Sequence, residues 1–247
     1  MKDFGNVISL MERIDPQYKK YMSIKREINE AMMEGFSFEK LTELCHEYKE
    51  DYSNAKAYSY CLKYMGEEIG RGSSRIVFQI DDYQCLKMGY NVKGIDQNRV
   101  EYETTKKINS PLFPYVFFVA PNYEWIVAEC VLPADVDDFK QCLGIHIYEF
   151  FDIIREIKKL KRNGGMEAYQ KEIADYYGDC EFYRNLAKYI LDFDIPIGDL
   201  TRIENWGLTK RNGKEALVVL DVGFNKEVWK KHYGGQRIAS SSGNTPR

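Results

Sequence analysis

The chain has 247 residues, of which 44% are hydrophobic, 14% aromatic and 30% charged, a composition typical of a globular protein that can bury a sizeable core. Its formal net charge of −3 at pH 7 disfavours a general polyanion binder, because such proteins are normally basic, so we expect no nucleic-acid partner. No apolar run approaches the roughly 20 residues of a membrane helix, and no apolar secretory core follows the N-terminus. We therefore expect a cytoplasmic protein without a membrane partner.

Cysteine and histidine spacing gives no sign of a metal or hydrolase site. The six cysteines include no C-x-x-C pair, and the three histidines are far apart without an H-E-x-x-H motif, which disfavours zinc and other His/Cys sites. In a reducing compartment such cysteines are expected as free thiols. The chain also lacks the G-x-S-x-G sequence of many serine hydrolases.

Residues 1–60 have helical periodicity and are predicted to form an extension. One helix is predicted to begin at Asp15-Pro16, which suit the N-cap and the first turn, and to stop at Gly35. A second helix is predicted to follow Ser37, which is also a suitable N-cap. Because both helices carry apolar stripes, we expect the extension to pack on the following residues or to bind a protein partner.

Residues 61–132 change in character to short strands with tight turns. The predicted elements are a strand over 61–69, a hairpin of 76–80 and 83–88, a helix over 96–108, and strands over 115–119 and 125–131. This order predicts a small antiparallel sheet with one inserted helix.

Residues 133–247 are predicted to be mainly helical. Helices are expected over 145–161 and 180–193, followed by strands over 206–209 and 216–220 that Asn212-Gly213 joins as a hairpin. Beyond them we expect a solvated basic tail with a loose end at 240–244. The whole order predicts an α+β fold in two lobes.

Three features of the first half could bind a phosphate-bearing ligand. Gly70-Arg71-Gly72-Ser73 lies between two predicted strands, where glycines let the backbone approach a ligand, although an ordinary hairpin bend has the same composition. Lys87 lies in an apolar strand, so it either needs an anion or faces solvent. Glu101 or Glu103 in the next predicted helix could be that anion.

The second half holds a group of hard oxygen ligands. Asp199 and Asn205 lie on a polar loop after an apolar helix, and Asp221 ends an apolar strand before Gly223. Carboxylate and amide oxygens are the ligands that Mg²⁺ prefers, together with phosphate oxygens. The same Asp-x-Gly sequence could instead be a simple turn after the strand.

The order of these features resembles the protein-kinase-like superfamily over about residues 61–228. A glycine hairpin, a strand lysine, a helix glutamate, a strand exit at 128–131, an Asp…Asn loop and an Asp-x-Gly sequence follow one another as they do in that family. The resemblance implies a two-lobed protein-kinase-like fold of the α+β class. Residues 61–132 would form an N-lobe with a small antiparallel sheet, 133–247 a reduced helical C-lobe with a basic tail, and 1–60 an N-terminal helical extension.

The resemblance also implies ATP and Mg²⁺ as cofactors and a role for each matching residue. Lys87 would contact the phosphates and Glu101 would orient it, with Glu103 as the second choice. Asp199 would accept the proton of the acceptor hydroxyl. The other implied assignments are Gly70, Gly72 and Ser73 over the phosphates, Glu129 and Val131 at the adenine, Asn205 and Asp221 on the metal, and Arg202 at the developing charge.

Several departures from the family pattern bear on activity. Arg75 replaces the expected third glycine, which would make the loop stiffer or more basic. Gly198-Asp199 is more similar to small-molecule kinases such as aminoglycoside phosphotransferases. Only 26 residues follow Asp221 and no A-P-E sequence occurs, so we expect no large helical platform for peptide substrates. Compact chains of this kind resemble kinase-like proteins of bacteriophages, which would place this one in a host cytoplasm.

Two functions follow from this reading. The first is an ATP- and Mg²⁺-dependent phosphotransferase whose acceptor the sequence does not identify. The alternative is a catalytically inactive kinase-like module that acts as a protein-interaction, viral structural or host-interacting protein, with the N-terminal helices as its docking surface. A third hypothesis is an unrelated α+β fold in which Lys87 faces solvent. The arrangement of Lys87, Glu101, Asp199, Asn205 and Asp221 decides between them.

Overall fold

The computed structural model describes residues 35–46, 55–66, 68–171, 180–193, 195, 197–223 and 225–233. The helix predicted to begin at Asp15-Pro16 and the loose end predicted at 240–244 lie outside these residues. The helices are α1 Phe38–His46, α2 Ala55–Met65, α3 Val92–Ile108, α4 Val136–Leu143, α5 Ile147–Leu160, α6 Met166–Tyr169, α7 Glu181–Asp192, α8 Ile197–Leu200, a 3₁₀ helix Ile203–Asn205, and α9 Lys226–Tyr233. The strands are β1 Glu68–Arg71, β2 Arg75–Gln79, β3 Gln84–Gly89, β4 Val116–Val119, β5 Trp125–Glu129, β6 Leu132–Pro133, β7 Trp206–Arg211 and β8 Lys214–Val219.

Five of the described strands form an antiparallel sheet in the order β1-β2-β3-β5-β4. Its central strand, β3, is buried along its whole length. Helix α3 follows β3 almost directly, with Asn91 as its N-cap, and packs against that strand. The predicted small antiparallel sheet with one inserted helix is therefore confirmed.

Helices α1 and α2 belong to the apolar core of this sheet. Cys61 of α2 and Phe78 of β2 are fully buried in one cluster. The Phe38 ring of α1 stacks on Trp125 of β5 with the ring centroids 4.7 Å apart, and the Trp125 ring nitrogen donates to the Thr42 hydroxyl at 3.1 Å. For this part of the extension, the expectation that it packs on the following residues is confirmed.

The predicted strand over 61–69 is wrong in its first half. Residues up to Met65 continue helix α2, whose buried side carries Ala57 and Cys61 one turn apart, and strand β1 begins only at Glu68. The apolar run at this point has no alternation, so its pattern alone does not distinguish a helix from a strand. Helix α2 also crosses the expected domain boundary between residues 60 and 61.

The second part of the fold is mainly helical, and its core surrounds Trp206. This side chain is fully buried, its ring meets Phe150 of α5 edge-on at 4.9 Å, and its ring nitrogen donates to the Leu200 carbonyl oxygen at 2.9 Å. Strands β6, β7 and β8 form a second antiparallel sheet. Asn212 and Gly213 turn between β7 and β8 with positive φ angles of 52° and 77°, as predicted for this dipeptide.

The predicted solvated tail is wrong for residues 226–233, because they form helix α9 against α3. Lys231 and His232 of α9 lie 2.6 Å and 2.7 Å from the Asp96 carboxylate of α3. Arg99 of α3 lies 3.0 Å from Glu227. Opposite charges therefore hold helices α3 and α9 together. Helix α9 was not predicted because a segment of eight residues is too short for a helical periodicity to be recognised.

The fold class is α+β, with a small antiparallel sheet and several helices. The six cysteines carry free thiols, three of them buried. Among the described helices, none has both the length and the apolar character needed to cross a membrane.

Candidate functional site

Lys87 and Glu101 form a buried ion pair between the central strand and the inserted helix. The Lys87 Nζ lies 2.6 Å from Oε1 of Glu101, and the two side chains are only 11% and 1% exposed. Asn98, three residues earlier on α3, donates from its side-chain amide to the Lys87 carbonyl oxygen at 3.4 Å, which ties helix to strand. Glu103, the second choice from the sequence, is exposed and pairs with Arg99. The structure therefore selects Glu101 as the partner of Lys87.

Arg75 joins this ion pair to Asp221. Its Nη1 lies 2.5 Å from Oε2 of Glu101, and its Nη2 lies 2.8 Å from Oδ1 of Asp221. Burial disfavours the guanidinium charge, but the two carboxylates outweigh that effect and raise the pKa of Arg75. The expectation that Arg75 adds basic charge to the glycine loop is wrong, because its guanidinium points into the protein.

The chain around Asp221 also contacts Lys87 and Asn205 through the backbone. Lys87 Nζ donates to the Leu220 carbonyl oxygen at 3.3 Å, and the Leu220 N–H donates to the Asn205 carbonyl oxygen at 2.9 Å. The Gly223 N–H donates to Oδ1 of Asp221 at 3.2 Å, which fixes the turn after β8. Segments that are distant in sequence therefore meet at one place, and Lys87 does not face solvent.

The hairpin at residues 72–74, which connects β1 and β2, docks on the start of α3. The Tyr90 hydroxyl donates to the Gly72 carbonyl oxygen at 2.8 Å, and Lys93 donates to the Ser73 hydroxyl at 2.6 Å. These bonds hold the exposed tip of the hairpin beside the N-terminus of that helix. Ser73, predicted to lie over phosphates, is therefore tied to α3.

Glycine is required by the fold at Gly94 but not at Gly70 or Gly72. A Cβ on Gly94 would overlap the Ser74 carbonyl oxygen, where helix and hairpin meet. A Cβ on Gly70 would make only an ordinary contact at 3.7 Å, and one on Gly72 would lie 3.9 Å from the nearest atom. Neither of these two has a positive φ angle. Close approach of a ligand would explain their glycine identity, whereas packing does not.

Asp199 lies in α8 and Asn205 ends the 3₁₀ helix before β7, so the polar loop predicted for them is wrong. The Asn205 side-chain amide donates to the Asp199 carbonyl oxygen at 2.8 Å. Oδ2 of Asp199 is buried and has no hydrogen-bond partner within the described ranges. Burial, followed by the charge of Asp221, raises the pKa of Asp199, and the exposed Arg202 opposes that shift. A buried carboxylate oxygen without a hydrogen bond is rare in proteins, and a catalytic role is one explanation for it.

Tyr189 of α7 is a residue of this site that the sequence does not indicate. It is fully buried, and its hydroxyl has no hydrogen-bond partner in the part of the chain that the structure describes. Burial raises the pKa of Tyr189, and the charges of Asp221, Glu101 and Asp199 raise it further, so its hydroxyl lies in the field of all three carboxylates. In the sequence it belongs to the apolar stripe of a helix, which carries no signal of a site.

Glu129 is engaged by contacts within the protein. Its two carboxylate oxygens lie 2.6 Å and 2.7 Å from the Arg211 guanidinium, and the Thr209 hydroxyl donates to Oε1 at 2.7 Å. Its backbone N–H donates to the Tyr115 carbonyl oxygen at 2.7 Å. Of the two predicted adenine contacts, the Glu129 N–H is therefore taken, whereas the Val131 N–H makes no hydrogen bond among the described residues.

The donor set fits a magnesium ion only if a phosphate completes its coordination. Both described hydrogen bonds of the Asp221 carboxylate go to Oδ1, which leaves Oδ2 for a ligand. The described residues contain no group of three or more His, Cys, Asp or Glu side chains that could hold a metal. Mg²⁺ usually takes one or two carboxylates together with waters and phosphate oxygens. Asn205 and Asp221 fit an ion held in that way.

Neither a scan against protein-family models nor a search of the curated proteins finds a match for this chain. Lys87 and Arg75 contact Glu101, Arg75 also contacts Asp221, and the charge of Asp221 acts on Asp199. With Arg202, whose charge also acts on Asp199, this group holds three cations and three carboxylates.

Proposed function

We propose that the chain is an ATP- and Mg²⁺-dependent phosphotransferase with a two-lobed protein-kinase-like fold. The observation that carries this proposal is the Lys87–Glu101 ion pair at 2.6 Å, whose ammonium also reaches the Leu220 carbonyl oxygen beside Asp221. An oriented ammonium next to a candidate metal ligand is what the positioning of a transferring phosphoryl group requires. The five-stranded sheet and the helical part would be the two lobes, with the cleft between them.

In this proposal each polar side chain has one role, and the contacts around the side chain support that role. Lys87 binds phosphate oxygens, and Glu101 keeps the ammonium in place through a charge-assisted hydrogen bond. Asp199 accepts the proton of the acceptor hydroxyl, and the burial that raises its pKa makes it a better base than an exposed aspartate. Arg202 lowers the cost of negative charge at this point, so it would stabilise the charge that develops during transfer.

The remaining groups of the site would bind the metal ion, the phosphates and the adenine. Bound to Asn205 and Asp221, Mg²⁺ would neutralise charge on the phosphate oxygens. The absence of Cβ atoms at Gly70 and Gly72 leaves room for the phosphates beside the hairpin, and the Val131 N–H would bind adenine. Free thiols fit a cytosolic protein, because disulfides do not persist in a reducing compartment.

ATP binding and transfer of the γ-phosphate test this proposal. Wild-type protein should unfold at a higher temperature with ATP and Mg²⁺, and Lys87→Met should abolish that shift because the phosphates lose their ammonium. Asp199→Asn and Asp221→Asn should each lower the transfer of γ-labelled phosphate, or the hydrolysis of ATP, by about a hundredfold or more.

Two exposed residues provide matched controls. Lys188→Met and Asp152→Asn remove the same charges from helix surfaces and should change neither ATP binding nor transfer. An ATP-induced shift that persists in folded Lys87→Met protein would contradict the proposal. So would unchanged transfer by Asp221→Asn.

A catalytically inactive nucleotide-binding module is the second candidate. The observation that favours it is the contact of Arg75 with Asp221 at 2.8 Å, because the guanidinium supplies a positive charge where a metal would supply one. Arg75→Gln separates the two functions. A phosphotransferase variant should bind Mn²⁺ about tenfold more tightly, since Asp221 loses a competing cation. The inactive module should bind ATP equally well with a chelator present and transfer no phosphate.

The second candidate would act through a protein partner at the N-terminal helices. Since α1 and α2 contribute to the core of the sheet, a deletion that tests this docking must spare residues from 35 onward. Deletion of residues 1–34 should abolish capture of the partner by folded protein. Capture that survives the deletion would exclude residues 1–34 as the docking surface.

A further inference from the structure

Cys85 and Cys130 meet on one face of the five-stranded sheet. Cys85 of β3 lies opposite Ala128 of β5, and Cys130 follows two residues later, so that it lies on the same face as Ala128. The Cys130 N–H donates to the Tyr83 carbonyl oxygen at 2.7 Å, which continues the pairing of the two strands. Both side chains belong to one apolar cluster. The fold therefore brings two free thiols together from positions that are distant in sequence.

The two cysteines, referred to as the thiol pair, lie on the face of the sheet that carries Lys87. Lys87 follows Cys85 by two residues on β3, and alternate residues of a strand share a face. The Cys85 Sγ lies 3.7 Å from the Glu129 carbonyl oxygen. Cys130 lies between Glu129 and Val131, the two residues assigned to adenine. The location of the pair at the adenine end of a nucleotide cleft rests on the proposed function, whereas the contact between the thiols does not.

The contact makes the two thiols chemically different. The hydrogen bond that the Cys85 S–H donates lowers the pKa of Cys130, although burial opposes this effect. The charge of Lys87 lowers this pKa further, against the charges of Asp81 and Glu129. The same hydrogen bond, together with burial, raises the pKa of Cys85. Since the thiolate is the nucleophile of cysteine chemistry, Cys130 would react first and Cys85 would remain protonated beside it.

Two other cysteines lack these surroundings. Cys142 is half-buried like Cys130, but burial and the charges of Asp138 and Glu215 raise its pKa. Burial raises the pKa of Cys61 to about 12, so this thiol stays protonated. Cys142 is therefore the matched control for Cys130, because it is similarly accessible but lacks a lowered pKa.

A bond between the two sulfurs requires a small movement of the chain. Diagonal neighbours of an antiparallel strand pair lie about 7–8 Å apart at their Cα atoms, whereas a disulfide usually joins Cα atoms about 4.4–6.8 Å apart. Cys85 is held in the central strand, which is buried along its whole length. Cys130 lies between the ends of β5 and β6, outside both strands, so it is the residue that moves. Its movement displaces the Val131 N–H, the group assigned to adenine.

We propose that the thiol pair is a site of oxidation by peroxides, in which Cys130 is the reactive thiol and Cys85 is the resolving thiol. The Cys130 thiolate attacks hydrogen peroxide, so that an S–O bond forms, the O–O bond breaks and hydroxide leaves. The Cys85 sulfur then attacks the Cys130 sulfur, so that the S–S bond forms, the S–O bond breaks and the Cys85 proton leaves with the hydroxyl as water. Formation of the disulfide transfers two electrons to one peroxide molecule. In the nucleotide cleft, the disulfide would prevent ATP binding until a thiol reductant opens it.

Peptide mapping of wild-type protein after treatment with hydrogen peroxide tests the oxidation. The peptides that carry residues 85 and 130 should appear joined, with the loss of both thiol hydrogens, and dithiothreitol should separate them. Cys130→Ser and Cys85→Ser should each prevent the link, whereas Cys142→Ser should leave its yield unchanged. Folded wild-type protein without the link would overturn the proposal, and so would a link that joins Cys142 in equal yield.

Dimedone, which labels sulfenic acids, identifies the cysteine that reacts first. In Cys85→Ser protein the sulfenic acid on Cys130 has no resolving thiol, so dimedone should label Cys130 about tenfold more than Cys142. Equal labelling of Cys130 and Cys142 in this variant would overturn the assignment, because it would show that exposure alone decides the reaction.

The thermal shift with ATP separates this proposal from the proposed function. Wild-type protein that carries the disulfide should lose the shift that ATP and Mg²⁺ produce in the reduced protein, and dithiothreitol should restore it. Cys130→Ser should show the same shift before and after treatment with peroxide. A full shift in the linked protein would overturn the proposed block of nucleotide binding. Formation of the link in a protein that does not bind ATP when reduced would support the thiol pair and refute the phosphotransferase.

Discussion

Two buried glutamates, Glu101 and Glu129, form similar ion pairs with arginine. Each faces a guanidinium, Arg75 at 2.5 Å for Glu101 and Arg211 at 2.6 Å for Glu129, and their side chains are 1% and 9% exposed. Both pairs join the five-stranded sheet to another part of the chain. The difference lies in what surrounds each pair.

Both oxygens of the Glu129 carboxylate are satisfied within the protein. Arg211 binds both carboxylate oxygens, Thr209 donates to one and the Tyr115 N–H donates to the other at 3.1 Å. The Arg211 guanidinium also lies over the Tyr115 ring, 4.2 Å from its centroid. One negative and one positive charge balance, so this cluster needs no ligand and holds β5 to β7.

The cluster around Glu101 is incomplete. Its cation Arg75 is shared with Asp221, whose side chain is 40% exposed, and Asp199 has a buried oxygen without a partner in the described ranges. Charge, exposure and an unsatisfied oxygen occur together at this one place. A fully paired buried charge indicates a structural role, whereas a partly paired cluster indicates a binding or catalytic role.

Glu129→Gln should have the largest effect on stability. We expect a loss of about 3–5 kcal/mol in the free energy of unfolding, because Arg211 stays buried without its opposite charge. Urea unfolding measures this loss, and exposed Glu103→Gln is the control, with an expected loss below about 1 kcal/mol. ATP should still stabilise the folded Glu129→Gln protein as much as it stabilises wild type. A loss below about 1 kcal/mol would show that the Glu129 cluster does not hold the fold.

Glu101→Gln should have a smaller effect on stability and a specific effect on ligand binding. We expect a loss of about 1.5–3 kcal/mol, the range for hydrogen bonds to charged groups, because Lys87 keeps the Leu220 carbonyl oxygen and Arg75 keeps Asp221. The thermal shift with ATP should fall well below that of wild type, since the ammonium is no longer oriented. If Glu101→Gln kept the full shift and Glu129→Gln lost it, the roles of the two clusters would be reversed.

Gly94→Ala and Gly72→Ala compare packing with ligand approach in the same hairpin region. Gly94→Ala should cost about 2 kcal/mol, because its Cβ forces the hairpin away from α3. Gly72→Ala should change stability by no more than about 0.5 kcal/mol and lower ATP affinity. Chemical unfolding and ATP titration measure the two effects. Normal ATP affinity in Gly72→Ala would mean that phosphates do not approach this glycine.

Asp199→Asn should have the smallest effect on stability, and a favourable one at neutral pH. Burial and Asp221 raise the pKa of Asp199 above its ordinary value of 3.8, so the folded protein binds this proton more tightly than the unfolded chain does. Stability is therefore lost as pH rises above that value, and the amide removes this loss. Thermal unfolding below pH 3.8 and at neutral pH should show a smaller decline for the variant. An equal decline would mean that Asp199 ionises without cost.

Local patterns predicted most of the long elements. Ser37 is confirmed as a cap, since the Lys40 N–H donates to its hydroxyl at 3.1 Å, and the hairpin predicted around the Asp81-Asp82 turn is confirmed as β2 and β3. Helix α3 begins at Val92, four residues before the predicted start, because Asn91 caps the Gly94 N–H at 3.0 Å. The sequence prediction did not use that cap. Helix α4 was missed because it has only eight residues, although Asp135 and Asp138 form its capping box.

Some of the site residues could be predicted from the sequence and others could not. Lys87 and Asp221 could be predicted because each is a charged residue at an apolar strand, where an unpaired charge is costly. Arg75 and Tyr189 could not, because their roles depend on contacts with segments that are distant in sequence. The Glu129–Arg211 ion pair could not be predicted either, because it forms only when β7 lies beside β5.

An acyl phosphate of ATP tests most directly whether the incomplete cluster lies in a nucleotide cleft. A lysine amine beside the bound phosphates takes the acyl group and releases ATP, so mass spectrometry of the labelled protein shows which lysine meets the phosphates. The account predicts acylation of Lys87 that excess ATP suppresses, with Lys188 as the surface lysine that ATP does not protect. Folded protein in which Lys87 stays unmodified, or is labelled equally with and without ATP, would contradict it.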